Sequence, residues 1–275
     1  MATPMPQSRT LPRRPPPVDP DTGTQMLALG TNCRKGHAPM TTLSGRVAFI
    51  TGASSGIGAA VANALSEQGA RLGLASRTAT NLGLPDCVAT ACDVRDLAQV
   101  EAAATATATC FGGIDIVVAN AGVGSWGPFA DTPLVDINEM LDVNVRGLFH
   151  TVRATLPYLR QSDAGDIITV ASEAGRRGLP DEAAYVATKF AQVGFTRSLD
   201  HELRGSGIRC CNICPGGVAT NFGMGRGLRI PDMPELSEML RPADVADMVV
   251  FALSRPRHYR MLEVAFRSMT EQSWG

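Results

Sequence analysis

The chain has 275 residues, of which 44% are hydrophobic and 19% charged, and its formal net charge is −1. This length fits one large α/β domain, and the near-neutral charge gives no basic field of the kind that holds nucleic acid. No apolar run approaches the ~20 residues of a membrane-spanning helix, so we expect neither a nucleic-acid partner nor a membrane span.

Residues 1–39 differ in composition from the rest of the chain. They hold eight of the 18 prolines, including Pro15-Pro16-Pro17, and carry five basic residues against two acidic ones. A segment without apolar periodicity cannot bury enough surface to offset its ordering entropy, so we predict a disordered tail. Met40 lies just before the first strand and is an alternative start of the protein, and a basic targeting segment is the other interpretation of the tail.

From Gly45 onward, apolar runs of strand length alternate with helical patterns. Most of these runs are continuous, which is typical of a parallel sheet covered on both faces. The predicted strands are Val47–Thr51, Leu72–Ala75, Cys87–Cys92, Ile114–Asn120, Asp166–Ala171, Ile208–Cys214 and Met261–Phe266. The first predicted helix is Gly56–Gln68, which Gly69 terminates. The alternation predicts residues 40–275 to be a single α/β domain, a Rossmann-type doubly wound parallel sheet of about seven strands.

A glycine-rich turn connects the first predicted strand to this helix. It reads Thr51-Gly52-Ala53-Ser54-Ser55-Gly56-Ile57-Gly58. Glycines let the backbone approach a pyrophosphate closely, and the free N–H groups at the start of the helix favour an anion. The alternative is a tight strand-to-helix turn with no ligand.

The glycine spacing G-x-x-x-G-x-G resembles the short-chain dehydrogenase/reductase family, and the resemblance extends from Leu43 to Gly275. Further motifs of that family follow in order, which makes the resemblance specific. They are Asp93-Val94, Asn120-Ala121-Gly122, Asn144-Val145-Arg146-Gly147, Ser172, Tyr185-Val186-Ala187-Thr188-Lys189 and Pro215-Gly216.

Tyr185 and Lys189 are four residues apart in the helical pattern Ala184–Leu203, so both lie on one side of that helix. A nearby ammonium favours the phenolate form of a tyrosine, which makes the pair a candidate proton donor and acceptor. Ser172 follows a buried strand, at the sheet edge where such folds bind ligands. On spacing alone, a surface tyrosine beside a solvated lysine is the alternative.

The resemblance implies a role for each of these residues. Ser172 hydrogen-bonds the substrate oxygen, Tyr185 transfers the proton, Lys189 tunes Tyr185 and holds the nicotinamide ribose, and Asn144 anchors a water that relays protons. The implied function is an NAD(P)-dependent oxidoreductase that interconverts a carbonyl and a secondary alcohol of a small molecule. A coenzyme-binding scaffold without turnover is one alternative. An epimerase or dehydratase is a second, but such enzymes more often have a G-x-x-G-x-x-G turn, so the turn of this chain argues against it.

The resemblance also implies a coenzyme site, and we expect no metal site in this chain. Its residues are Gly52, Ser54, Ser55, Gly56, Ile57 and Gly58 at the phosphates, Asp93 and Val94 at the adenine, Asn120 and Gly122 at its ribose, and Tyr185, Lys189, Pro215, Gly216, Val218 and Thr220 toward the nicotinamide. Turn-forming preferences of asparagine and glycine are the alternative explanation at Asn120 and Gly122.

The residues after the second strand predict which nicotinamide coenzyme is bound. An acidic residue at this position pairs with the ribose hydroxyls of NAD, whereas this chain has Ser76 followed by Arg77. A guanidinium binds a 2′-phosphate, so we expect NADP, with NAD less favoured. Only 15 residues separate Arg77 from Asp93, which predicts a shortened second crossover.

Three segments are predicted to contact the substrate: Gly124–Phe129 with Trp126, Glu173–Asp181, and the loop Gly216–Pro234. The loop contains Gly223, Gly225 and Gly227 and has the composition of a mobile lid, or of an ordinary long loop. Either Glu173, Arg176 and Arg177 contact a polar substrate, or they are solvated.

Two further expectations concern assembly and cysteine chemistry. The resemblance implies a homodimer or homotetramer formed through the helices around Asn138–Arg160 and Ala184–Leu203. Seven cysteines without regular spacing favour a reducing, cytoplasmic location. Cys211 and Cys214 form a C-x-x-C, but on a strand this spacing sends them to opposite faces, so we interpret both as core thiols.

Overall fold

The computed structural model describes residues 40–227, 230 and 234–271. The predicted tail, residues 1–39, therefore lies outside the described residues, as does part of the predicted lid loop. The described chain forms one seven-stranded sheet with the order β3-β2-β1-β4-β5-β6-β7. All neighbouring strands pair in parallel, as the sequence predicts.

The strands begin and end within a few residues of their predicted bounds. They are β1 Val47–Thr51, β2 Arg71–Ser76, β3 Cys87–Ala91, β4 Ile116–Ala119, β5 Asp166–Val170, β6 Arg209–Pro215 and β7 Glu263–Phe266. The α-helices are α1 Gly56–Glu67, α2 Leu97–Phe111, α3 Leu134–Met140, α4 Gly147–Leu159, α5 Ala183–Leu203 and α6 Pro242–Leu253. The strand order reverses between β1 and β4, which is the point where such sheets open a crevice for a ligand.

The core has two layers, one on each face of the sheet. Helices α1 and α6 pack on one face and α2, α4 and α5 on the other. Alternation along β1 serves both layers, since Ala48 and Ile50 contact the first and Val47 and Phe49 the second. The continuous apolar runs of the sequence follow from this two-sided burial.

Two local predictions about the connections are confirmed. Helix α1 ends at Glu67, and Gly69 adopts a left-handed φ of 78°, which suits glycine. Residues 77–86, between β2 and β3, contain no helix, so the second crossover is short, as predicted.

The two cysteines of the C-x-x-C lie in different parts of the core. Cys211 packs in the layer formed by α1 and α6, whereas Cys214 packs with Ala171 and Val193 on the opposite side of the sheet. Burial raises the pKa of each thiol to about 12. Both thiols therefore stay protonated near neutral pH, as expected of core residues.

A buried charge cluster lies at the amino edge of the sheet. Asp166, the first residue of β5, is 2% exposed. Its carboxylate pairs with Arg46 Nη2 at 2.9 Å, Arg209 Nε at 2.6 Å and Arg257 Nη1 at 2.8 Å.

In the described part of the chain, no helix is long and apolar enough to cross a membrane.

Candidate active site

A cleft of about 1250 Å³ opens at the carboxyl edge of the sheet. The predicted site residues converge here: all of them line the cleft except Gly58 and Asn144. Both exceptions are buried behind its wall. The ends of six strands, β1 to β6, thus bring together predicted site residues that are up to 168 residues apart in sequence, from Gly52 to Thr220.

The glycine-rich turn has a conformation that other residues would strain. Gly52 and Gly56 have φ angles of 66° and 54°. A Cβ on Gly58 would lie 2.2 Å from the Gly52 carbonyl oxygen, so only glycine allows α1 to pack this closely on the turn. Asn120, at the end of β4, donates its side-chain amide to the carbonyls of Thr51 at 3.0 Å and Gly52 at 3.2 Å.

The first turn of α1 faces the cleft with its own amides. Ser55 is the N-cap residue, but its side chain makes no capping hydrogen bond, and the first turn holds no acidic residue. Helix N–H groups in this situation attract anions through hydrogen bonding and the helix dipole. The turn therefore fits the phosphates of a dinucleotide.

Two arginines lie at the edge of the cleft beside β2 and β3. Arg77 follows β2 and is exposed. Arg95, which the sequence analysis did not identify, pairs with Asp93 at 2.5 Å. The hydrogen bond from Arg95 lowers the pKa of the Asp93 carboxyl. The Arg95 guanidinium is therefore occupied by this ion pair. In the sequence, the indication of the pair is that Arg95 follows Asp93 by two residues in a turn.

Ser172 and Tyr185 reach the cleft from two neighbouring elements. Ser172 follows β5, and its Oγ accepts a hydrogen bond from the Ala174 N–H at 3.1 Å, which caps the short 3₁₀ turn Glu173–Gly175. Tyr185 lies in the first turn of α5 and is 7% exposed. The hydroxyl of the strand end and the phenol of the helix thus share one wall of the cleft.

Lys189 is a buried ammonium beneath Tyr185. It is 3% exposed, and its Nζ lies 5.5 Å from the centre of the Tyr185 ring. Nζ donates hydrogen bonds to Gln192 Oε1 at 2.9 Å and to the Val170 carbonyl at 3.3 Å. Removal from water lowers the pKa of Lys189 from 10.5 to about 8.

Asn144 is fully buried in a π-helical turn, Leu141–Arg146, between α3 and α4. Its Oδ1 accepts from the Val123 N–H at 2.8 Å, and its Nδ2 donates to the Val123 carbonyl at 2.9 Å and to Thr188 Oγ1 at 3.0 Å. The main-chain carbonyl of Asn144 accepts from Gln192 Nε2 at 2.7 Å. Asn144 therefore joins the loop after β4 to α5.

Aromatic rings form the wall of the cleft next to Tyr185. The ring centre of Trp126 lies 5.7 Å from that of Tyr185 and 5.7 Å from that of Phe222. A Cβ on Gly124 or on Gly223 would lie 2.7 Å or less from the Trp126 ring, so these glycines make room for the indole. Trp126 and Phe222, which belongs to the loop after β6, thus pack beside Tyr185; that these segments contact the substrate stays a prediction.

The acidic and basic residues after Ser172 form a network of ion pairs. Glu173 is 4% exposed and pairs with Arg176 at 2.7 Å and Arg177 at 3.5 Å. Arg177 also pairs with Glu271 at 3.3 Å, and Glu271 accepts from the Gly217 N–H at 3.1 Å. Arg176 is exposed, in line with the solvated alternative for that residue, whereas Glu173 and Arg177 line the cleft, so their contact with a polar substrate stays a prediction.

Comparison with known proteins identifies the family. The short chain dehydrogenase family model matches residues 46–228. An uncharacterised oxidoreductase of Staphylococcus epidermidis is 37% identical over 235 residues, which cover 83% of this chain and 99% of the relative. The glycine betaine reductase of Emericella nidulans is 33% identical over 249 residues, which cover 85% of this chain but 19% of that protein. This chain thus spans about a fifth of that reductase.

Solved structures share the fold at similar identity. An alcohol dehydrogenase from Thermococcus sibiricus, complexed with 5-hydroxy-NADP, has a TM-score of 0.75 and 30% identity, covering 84% of this chain and 99% of its own. A 3-ketoacyl-(acyl-carrier-protein) reductase from Brucella melitensis, complexed with NADH, has a TM-score of 0.72 and 30% identity, covering 81% and 98%. On these matches, the chain belongs to the short-chain dehydrogenase family of oxidoreductases.

Proposed function

We propose that the protein is an NADP-dependent oxidoreductase that interconverts a carbonyl and a secondary alcohol on a small molecule. One observation carries the proposal: the Tyr185 ring lies in the same cleft as the glycine-rich turn, with the buried Lys189 ammonium 5.5 Å from the centre of that ring. A nearby cation stabilises the phenolate, which brings the tyrosine toward the pKa of a useful acid and base. The oxidoreductase relatives and the coenzymes bound by the solved neighbours support it.

The proposed chemistry divides between coenzyme and protein. When bound, the coenzyme supplies or accepts the hydride. For carbonyl reduction, the Ser172 hydroxyl donates a hydrogen bond to the substrate oxygen, and the Tyr185 phenol gives that oxygen its proton. The Lys189 ammonium stabilises the resulting phenolate until Tyr185 is reprotonated. For alcohol oxidation the proton moves in the opposite direction, from the alcohol to Tyr185.

The preference for NADP rests on Arg77. Its exposed guanidinium stands at the end of β2, where a carboxylate would pair with the ribose of NAD, and it lines the cleft. Asp93, a carboxylate that lines the cleft after β3, is ion-paired with Arg95. A 2′-phosphate would therefore meet an available cation rather than an available anion.

Assembly and location are part of the proposal. Phe149 on α4 and Phe190 on α5 are 43% and 46% exposed, which supports a dimer or tetramer through these helices, a state that analytical ultracentrifugation measures. The six cysteines of the described residues are all unpaired, which supports a cytoplasmic location; reporter fusions in cell fractions test this.

The function is tested by incubating the full chain with NADPH and a panel of aldehydes and ketones while following the loss of reduced coenzyme by absorbance. We expect turnover of at least one carbonyl compound, with NADPH preferred over NADH. Tight coenzyme binding without turnover of any compound would favour the coenzyme-binding scaffold instead.

A further inference from the structure

A buried glutamine connects two residues of the proposed catalytic group. Gln192 lies one turn after Lys189 on α5 and is 2% exposed. Its Oε1 accepts from Lys189 Nζ at 2.9 Å, and its Nε2 donates to the main-chain carbonyl of Asn144 at 2.7 Å. The Lys189 ammonium and the Asn144 carbonyl, 45 residues apart in sequence, are thereby linked through one side chain.

The side-chain amide of Gln192 suits both partners because one of them needs a hydrogen-bond acceptor and the other a donor. An ammonium only donates hydrogen bonds and a main-chain carbonyl only accepts them, whereas glutamine presents an acceptor and a donor on one planar group. An apolar side chain here would leave two buried polar groups without this partner. A carboxylate would place an acceptor against the carbonyl.

The link passes through the main chain of Asn144, since its side chain is already engaged. Both polar atoms of that side chain bond to Val123, and Nδ2 also bonds to Thr188 Oγ1. The family resemblance implies a water bound by Asn144 in the proton relay. In this chain, the side-chain amide of Gln192 donates a hydrogen bond to the Asn144 carbonyl.

Among the described residues the Lys189 ammonium forms no ion pair, and its two hydrogen-bond acceptors, the Val170 carbonyl and Gln192, are neutral. Tyr185 faces it from α5 and the Cys214 thiol from β6. The carboxylates of the elements packed against α5 pair with arginines: Asp142 of the π-helical turn with Arg146, Glu139 of α3 with Arg226, and Glu173 of the 3₁₀ turn with Arg176 and Arg177. Asp166, at the far end of β5, pairs with three arginines. Asp136 of α3 accepts from Ser125.

We propose that Gln192 is a positioning residue that holds the Lys189 ammonium under Tyr185 and ties it to Asn144. Its neutrality matters, because a neutral acceptor stabilises the cation without cancelling the charge that acts on Tyr185. The catalytic consequence rests on the proposed function, whereas the effect of Gln192 on Lys189 is measurable without any substrate.

The sequence offers a direct measurement, since it contains only two lysines, Lys35 and Lys189. Labelling lysine with ¹³C at the ε-carbon gives one NMR signal from each, and titration of the full chain gives both pKa values. In Gln192→Met we expect the pKa of Lys189 to fall by about one to two pH units, the size expected on losing one hydrogen bond to a charged group. In Gln192→Glu we expect it to rise, because a carboxylate favours the ammonium.

Thr196→Val is the matched control. Thr196 lies one turn further along α5 and is equally buried, with its Oγ1 2.8 Å from Thr169 Oγ1. It loses a buried hydrogen bond without touching Lys189, so we expect no shift in the lysine pKa. Wild-type pKa values for Lys189 in folded Gln192→Met and Gln192→Glu would overturn the proposal. If the methionine variant does not fold, the sign of the shift in the glutamate variant decides.

Kinetics separate this inference from the proposed function. With a carbonyl substrate, we expect Gln192→Met to lower kcat and displace its pH profile. An unchanged profile in an active enzyme would contradict the role of Gln192. Inactivity of the wild type on every carbonyl would instead overturn the proposed function, and the lysine titration would still decide whether Gln192 holds Lys189.

Discussion

Two buried charged groups lie at opposite ends of the same strand, β5, and they differ in the charge of their hydrogen-bond partners. At the amino end, the Asp166 carboxylate pairs with three arginines. At the carboxyl end, the Lys189 ammonium donates to the Val170 carbonyl and to Gln192, both neutral. A neutralised charge fixes structure, whereas a charge held by neutral partners keeps its field and can act on Tyr185.

The largest expected effect is at the group on which that field acts. Tyr185→Phe removes the proposed proton donor, so we expect turnover to fall by about 10²–10⁴-fold while coenzyme affinity stays nearly the same. Steady-state kinetics and coenzyme titration measure both quantities. Tyr158→Phe is the matched control, because this phenol contacts Thr105 instead of the cleft. An equal loss of turnover in the two variants would indicate that Tyr185 is not the proton donor.

The neutralised charge predicts a loss of stability instead. Asp166→Asn leaves three arginines near the amino edge without their shared counter-charge, so we expect the free energy of unfolding to fall by about 3–5 kcal/mol. Urea denaturation measures this, and the pKa of Lys189 is expected to stay unchanged. A folded variant with wild-type stability would show that the arginine cluster is not structural.

The pH dependence of stability tests whether Lys189 is a buried, unneutralised cation. Folding lowers its pKa from 10.5 to about 8, so within this window the unfolded chain binds the proton and the native chain does not. Unfolding free energy should therefore rise with pH between about 8 and 10.5, relative to Lys189→Met, and the offset should be constant below this window. Denaturation at several pH values measures it. Parallel curves for the two proteins would mean that folding leaves the Lys189 pKa unperturbed.

The smallest expected effect concerns two arginines at the edge of the cleft that differ in the same way, one paired and one not. Arg95 is paired with Asp93, whereas Arg77 has no ion pair among the described residues. Arg77→Ser should weaken NADPH binding about tenfold and spare NADH, since only NADPH carries a 2′-phosphate. Arg95→Ser should change the preference less. Fluorescence titration with both coenzymes measures this, and an unchanged NADPH preference in Arg77→Ser would remove Arg77 from the site.

The parts of the site that local rules govern were predictable from the sequence. A tight turn before a helix needs the glycines at positions 52, 56 and 58, and a spacing of four on a helix brings Tyr185 beside Lys189. The continuous apolar strands predicted the two-layered fold in the same way.

The parts that depend on tertiary packing were not predictable from a single sequence. The contact between Gln192 and Asn144 joins residues 48 apart, and nothing local marks glutamine as more than a polar position on α5. Glu173 depends on arginines whose orientation the fold sets, and Arg177 reaches Glu271 across 94 residues. Hydrogen-bond partners across elements follow from the packing, not from the spacing.

The most direct test of the central claim follows the hydride, with Tyr185→Phe as the variant that lacks the proposed proton donor. The full chain is incubated with a carbonyl compound and NADPH deuterated at the position that donates hydride, and the alcohol is analysed by mass spectrometry. We predict one deuterium on the carbinol carbon with the wild type and almost none with Tyr185→Phe. A wild-type chain that binds NADPH but yields no deuterated alcohol from any aldehyde or ketone tested would contradict the account.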